Sequence, residues 1–312
     1  SPRSCAIRGV PSSRGFRACA LSFLDGFVLF CYLPVHPPEA ASNDTPPVLA
    51  TSPSTHGTGS ELASIHYSGF DPSLFQDDDG QKYWLNMVWD HRPDHHPFYG
   101  IVKQELDGSS FELIGTPKLI FKGTEIGLTE GPHIYKKDSL YYLLTAEGGT
   151  EYNHAVTLAR SESIDGPYEV HPHNPVLTSK GDTTLALQKA GHASLVQTQG
   201  DQWYMPHLCG RPLPGTKRCN LGRETAIQKM EWRDDGWLYV AGGGNNPKET
   251  VDAPDLPLHP WPELEPRVPF TSPHFATPRG PASTIEPTDT ILRLYGSESL
   301  ESCFPKSLLA RR

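Results

Sequence analysis

Three polar residues stand directly before short strands at spacings that could bring them together: Asp71 in Gly69-Phe70-Asp71-Pro72-Ser73, Glu130 in Thr129-Glu130-Gly131-Pro132-His133, and His192 in Ala190-Gly191-His192-Ala193-Ser194. Each opens a strand-turn-strand unit, and the copies follow one another at intervals of about sixty residues. Two carboxyl groups held at one point suggest acid-base chemistry, because their mutual repulsion keeps one of them protonated near neutral pH. A histidine beside them can bind substrate, orient a carboxylate or hold a cation through water. Pro72 and Pro132 fix the backbone around the two carboxylates, and Gly131 leaves space next to Glu130. Each residue has an ordinary structural alternative: a turn aspartate, a strand-end glutamate, a core histidine. Their recurrence at equivalent places in a repeat favours a shared role, with Glu130 taken as the equivalent of Asp71.

Two further residues fit a pocket for a polar, ring-shaped substrate. Arg223, in Leu221-Gly222-Arg223-Glu224-Thr225, begins an alternating segment and can donate paired hydrogen bonds. It should not pair with Glu224, since neighbours on a strand point to opposite faces. Trp89, in Trp89-Asp90-His91-Arg92, ends a strand and could stack on a sugar ring or simply fill the core. The adjacent His95 and His96 lack metal-ligand spacing. Asp77-Asp78-Asp79-Gly80 lacks the interleaved ligands of a calcium loop and reads as a hairpin turn. No metal site is expected from these residues.

The elements that must position these groups are strands. Prolines number 31 and glycines 28 in 312 residues, between runs rich in Val, Ile, Tyr and Trp, which predicts an all-β fold. Repeated units of short strands suggest propeller blades, whose innermost strands start near one axis. Residues 1–64, rich in Ser, Pro and Thr, are expected to be unstructured or unrelated to the fold. Residues 65–262 form the β core, 263–289 a Pro-rich linker, and 290–312 the start of a further β domain.

A net charge of −9 and the lack of a Lys/Arg stripe exclude a nucleic-acid partner and favour a neutral substrate. Asp25 and Gly26 interrupt the apolar stretch from Ala18 to Val35, which predicts no membrane span. The expectation is a soluble protein, secreted or cytoplasmic. The order of basic, apolar and small residues around 14–42 matches a secretion signal poorly, and the sequon Asn43-Asp44-Thr45 falls in the same stretch. Cys209 and Cys219 flank a Pro/Gly loop and could form a disulfide or stay free.

Five strings resemble β-xylosidases of glycoside hydrolase family 43, in the family's order: GFDPSLFQDDDGQKYWLNMVWDHR, TEGPHIYKKDSLYYLLTAEGG, HAVTLARSESIDGPYEVHPHNPVL, KAGHASLVQTQGDQWYMPHLCGRPL and LGRETAIQKMEW. The resemblance covers about residues 66 to 262. It implies a five-bladed propeller, of which about three blades are expected here, followed by the start of a β-sandwich. The implied activity is removal of terminal xylose from xylo-oligosaccharides with inversion. Related members act on arabinofuranosides, so an arabinose-containing substrate is the alternative; a non-catalytic sugar-binding propeller fragment is another, and a truncated product with no independent role a third.

By motif, Glu130 matches the general acid and Asp71 the carboxylate that raises and orients it. Arg223, Trp89 and His192 match substrate-binding positions, and in some relatives the histidine belongs to a cation-water site. No cofactor is required and calcium is possible. The family's general base lies in an Asn-Pro-Asp-Pro-type motif, which is not found in this sequence, so the expected activity of this chain is impaired.

Overall fold

A computed structural model describes residues 16–24, 26–34, 48–54, 63–65, 68–258, 265, 267–272, 275–276, 284–296 and 310–311. Every regular element among them is β, apart from a single 3-10 residue, Thr284. The chain divides into two units. One comprises residues 18–32 and 46–257, and the other 1–17, 33–45 and 258–312.

The three anticipated modules are three antiparallel sheets. The first contains β5 (Phe70–Gln76), β6 (Lys82–Trp89), β7 (Phe98–Leu106) and β8 (Leu113–Phe121), hydrogen-bonded in that order. The second runs β9 (Glu130–Lys137), β10 (Leu140–Glu147), β11 (Ala155–Ser161) and β12 (Glu169–Val170), with β13 (Leu177–Thr178) also on β11. The third runs β14 (Gln188–Ala193), β16 (Trp203–Gly210), β17 (Glu224–Trp232) and β18 (Leu238–Val240), with β15 (Val196–Gln197) also on β16. This up-and-down order is that of propeller blades.

A fourth sheet precedes these three, within the stretch expected to lack structure. It consists of β1 (Phe16–Leu24), β2 (Phe27–Pro34), β3 (Val48–Ser52) and β4 (Ala63–Ser64). The Ser/Pro/Thr content that argued against structure sits largely in the connections, while the strands read FRACALSFL and FVLFCYLP. Gly26, at φ 81°, stands in the connection between β1 and β2, in a backbone conformation that glycine adopts readily. Alternation follows: Leu29 and Cys31 are buried while Phe30 between them is exposed. The sequon at residues 43–45 lies outside the described residues.

Successive sheets pack face to face through three apolar cores. Cys31, Leu49 and Ile65 of the fourth sheet and its edge meet Trp84 and Leu106. Leu85, Met87 and Ile101 meet Ile134, Leu143 and Ala159. Leu144, Val156 and Leu158 meet Ala190, Met205 and Met230. Buried large side chains in these layers fix each blade against the next.

The turns obey local chemistry. Asp77 accepts from the amide of Asp78 at 2.8 Å, and the amide of Gly80 returns to the Asp77 carbonyl at 2.9 Å. The acidic run is therefore a hairpin turn, as its composition suggests. Asp90 holds Arg92 through Nε at 2.8 Å and Nη2 at 2.6 Å, which orders the loop after Trp89. Cys209 and Cys219 are free thiols.

In the other unit, β20 (Ile285–Pro287) pairs with β21 (Leu292–Leu294), and β19 (Phe275–Ala276) with β22 (Ala310–Arg311). Short strands thus occur inside the segment expected to be a linker as well as in the C-terminal one.

Candidate active site

The inner strands β5, β9 and β14 share a device at their starts. In β5, Phe70 pairs with Met87 and Ser73 with Leu85, so the inner strand carries one residue more than its partner. The same excess occurs between Glu130 and His133 opposite Ala146 and Leu144, and between Gly191 and Ala193 opposite Leu208 and His207. Each bulge contains a left-handed residue: Asp71 at φ 54°, Gly131 at 58° and His192 at 48°. Non-glycine residues rarely adopt this conformation, although Asp and His do so more readily than most. Strain of this kind concentrates where a side chain must be aimed.

This register corrects one expectation. Asp71, Gly131 and His192 occupy equivalent positions, and Glu130 lies one residue earlier, level with Phe70 and Gly191. Sequence comparison aligned the polar residues; the backbone aligns on its bulges.

The polar groups nevertheless converge. Asp71 Oδ2 lies 3.8 Å from His192 Nδ1. A carboxylate oxygen of Glu130 and ring nitrogens of His154 and His192 all lie within 4.8 Å of one another. Two glycines make the room. A Cβ on Gly131 would stand 3.0 Å from Cε1 and Nε2 of His192, and one on Gly191 would stand 2.4 Å from Cγ of His154. Any side chain at Gly191 would displace the buried His154 ring. Ser73 Oγ donates to the Pro132 carbonyl at 2.5 Å, and the Leu195 amide donates to the Tyr135 hydroxyl at 2.7 Å, which ties β5, β9 and the end of β14 together.

Electrostatics separate these groups. Glu130 is 9% exposed, and burial, reinforced by the charge of Asp71 and opposed by that of Arg223, pushes its carboxyl up to about 8. It is therefore mainly protonated at neutral pH. His154 is fully buried, and desolvation pulls it down to about 4, leaving a neutral imidazole.

Arg223 is exposed, in the bend immediately before β17, and its charge reaches both Glu130 and His154. Glu224 turns away to Arg211, accepting from Nε at 3.0 Å and Nη2 at 2.6 Å, so it does not neutralise Arg223. Trp89 is half-buried, 5.0 Å between ring centroids from both Phe70 and Phe98. It belongs to an aromatic cluster that includes the residue before Asp71. His95 contacts Asp90 at 3.2 Å and His96 contacts Phe98, which gives this pair loop-ordering partners.

His154 was missed from sequence. It directly precedes β11, outside the repeated unit, but the signal was present: a polar residue at the head of a strand in Asn153-His154-Ala155-Val156. The donor set around His192 is a poor match for calcium, which takes six to eight oxygens, because it offers two imidazoles and one carboxylate.

Four-stranded blades whose inner strands bring a buried carboxyl, a second carboxylate and a histidine toward one region, within reach of the charge of Arg223 from the bend before β17, define a propeller-type protein. Residues 13–238 match the model of glycosyl hydrolases family 43, and the chain belongs to that family. It is 46% identical over 325 residues to a xylan 1,3-beta-xylosidase of Vibrio sp, covering 98% of this chain and 60% of that protein. A xylosidase/arabinosidase 43B of Humicola insolens is 45% identical over 312 residues, covering 98% of this chain and 58% of that one. The crystal structure of a xylan beta-1,4-xylosidase from Bacillus halodurans C-125 superposes with a TM-score of 0.90 at 51% identity, covering 99% of this chain and 60% of that chain. The chain thus spans about 60% of the length of these relatives.

Proposed function

We propose that the protein is a glycosidase acting on terminal xylose of xylo-oligosaccharides, with Glu130 as the general acid. The observation that carries this reading is a buried carboxyl pushed up to about 8 beside a second carboxylate. A carboxyl protonated at neutral pH can deliver its proton to the oxygen of a departing sugar, the step on which both classes of glycosidase depend. Asp71 keeps that proton in place by repelling the ionised form. Arg223 and His192 bind sugar hydroxyls, and Trp89 with its aromatic neighbours forms an apolar side of the pocket.

Hydrolysis in this reading proceeds with inversion. Inversion also needs a carboxylate about 6.5–9.5 Å from the acid to activate water on the opposite face of the ring. None of the described residues is assigned that role. The donor set gives no reason to route a step through a metal.

Arabinofuranosides are the second reading, favoured by the xylosidase/arabinosidase among the relatives. Rates on aryl xylosides and aryl arabinofuranosides separate the two. The test of the acid is leaving-group dependence. Glu130→Gln should cost roughly 10²–10⁴-fold on xylobiose, whose leaving group needs a proton, and much less on a dinitrophenyl xyloside. Equal losses on both substrates would contradict an acid role. Xylobiose binding without turnover by the wild type would favour a sugar-binding propeller instead.

A further inference from the structure

The buried His154 has no place in the assignment above, and its surroundings give it one. Its Nδ1 lies 3.2 Å from the Lys189 carbonyl. A carbonyl only accepts, so Nδ1 carries the ring proton and Nε2 is left with a lone pair. Nε2 is fully buried and has no hydrogen-bond partner among the described residues. Leaving such an atom unmatched costs free energy, which calls for a donor within reach. A ring nitrogen of His154 lies within 4.8 Å of a Glu130 carboxylate oxygen. The ring is held in place by the bare backbone of Gly191, where a Cβ would stand 2.4 Å from Cγ.

From this geometry we infer that His154 is a positioning residue for the acid: its Nε2 accepts a hydrogen bond from the protonated carboxyl of Glu130, aiming that carboxyl and favouring its protonated form. The inference rests on the reading of Glu130 as the acid. The proton stays on Glu130, since the carboxyl holds it up to about pH 8 and the imidazole only to about 4. When Glu130 gives its proton to a leaving group, the bond to Nε2 breaks and the neutral ring cannot supply a replacement. His154 therefore orients without itself transferring a proton. The other groups acting on it are His192, with ring centroids 6.5 Å apart, and the charges of Arg223 and His207.

The test is nuclear magnetic resonance on the whole chain with ¹⁵N-labelled histidine and ¹³C-carboxyl-labelled glutamate, with Glu130→Gln identifying the Glu130 carbon and His154→Gln the His154 nitrogens. The expected result is a neutral His154 protonated on Nδ1, with an Nε2 shift that steps at the same midpoint as the Glu130 carboxyl carbon and stays flat in Glu130→Gln. A histidine that only fills space would keep its Nε2 shift constant through that titration. A proton on Nε2, a flat Nε2 shift in the wild type, or a step that survives in Glu130→Gln would each overturn the inference while leaving the acid reading intact. A Glu130 carbon titrating near the ordinary 4.5 would overturn both.

Discussion

The hairpin of β9 and β10 carries a buried glutamate at each of two adjacent ends, Glu130 opening β9 and Glu147 closing β10 beside it. Glu147 is the more deeply buried, at 0% exposed against 9%. Its carboxylate is tied down: it accepts from the Thr124 amide at 2.9 Å, the Thr129 hydroxyl at 3.0 Å and the Thr124 hydroxyl. Burial raises the Glu147 carboxyl, and those donors work against the rise. Glu130 faces a like charge from Asp71, with Arg223 as its opposing cation. Burial raises both carboxyls, and what differs is their surroundings: threonine donors hold Glu147, while a like charge adds to the rise at Glu130.

The sharpest way to break this comparison is to neutralise each glutamate. Glu130→Gln should reduce turnover of xylobiose by roughly 10²–10⁴-fold. Glu147→Gln should leave turnover within a few-fold and lower the melting temperature instead, through the lost hydrogen bonds. Equal kinetic damage from both would erase the distinction.

Asp71→Asn removes the repulsion. The Glu130 carboxyl should then move from about 8 toward the ordinary carboxylate range. Activity falls on the alkaline side as the acid ionises, so the alkaline limb of the kcat profile should shift to lower pH, and an unmoved limb would argue against Asp71 acting through Glu130.

Stability should carry the same signature. Glu130 titrates near 4.5 when unfolded and near 8 when folded, so the folded protein binds the extra proton between those values. The contribution is fully present below pH 4.5 and is lost as pH rises through 8. Denaturant titrations should show wild-type stability declining across this window and a flatter profile for Glu130→Gln.

A smaller change sharpens the other side. Thr129→Val deletes one donor to Glu147, which should cost about 1–3 kcal/mol of stability and raise that carboxyl further. No change in either quantity would mean that the threonine contact carries no weight.

The three repeated modules were legible because each advertises its turn, as in Asp77 to Gly80, between alternating strands. The preceding sheet was hidden by its connections, rich in Ser, Pro and Thr, and by reading the stretch from Ala18 to Val35 as one interrupted apolar run where two strands, β1 and β2, stand. Asp71, Glu130 and His192 stood out as polar residues ahead of apolar strands. Their true register did not, since a bulge adds a residue without leaving a compositional mark. Arg223 was expected at the start of a strand and lies in the bend just before one, which leaves it exposed while its charge reaches the site. His154 escaped because its partners, Gly191 and Lys189, are distant in sequence and meet it only after β11 and β14 pack.

The proposed acid chemistry depends on one carboxyl, that of Glu130, and its titration is the most direct test. Following the Glu130 carboxyl carbon from pH 3 to 10, assigned by its loss in Glu130→Gln, should give a midpoint near 8. A midpoint in the ordinary range near 4.5 would mean that the group is already ionised at neutral pH, and no acid would remain for the reaction proposed here.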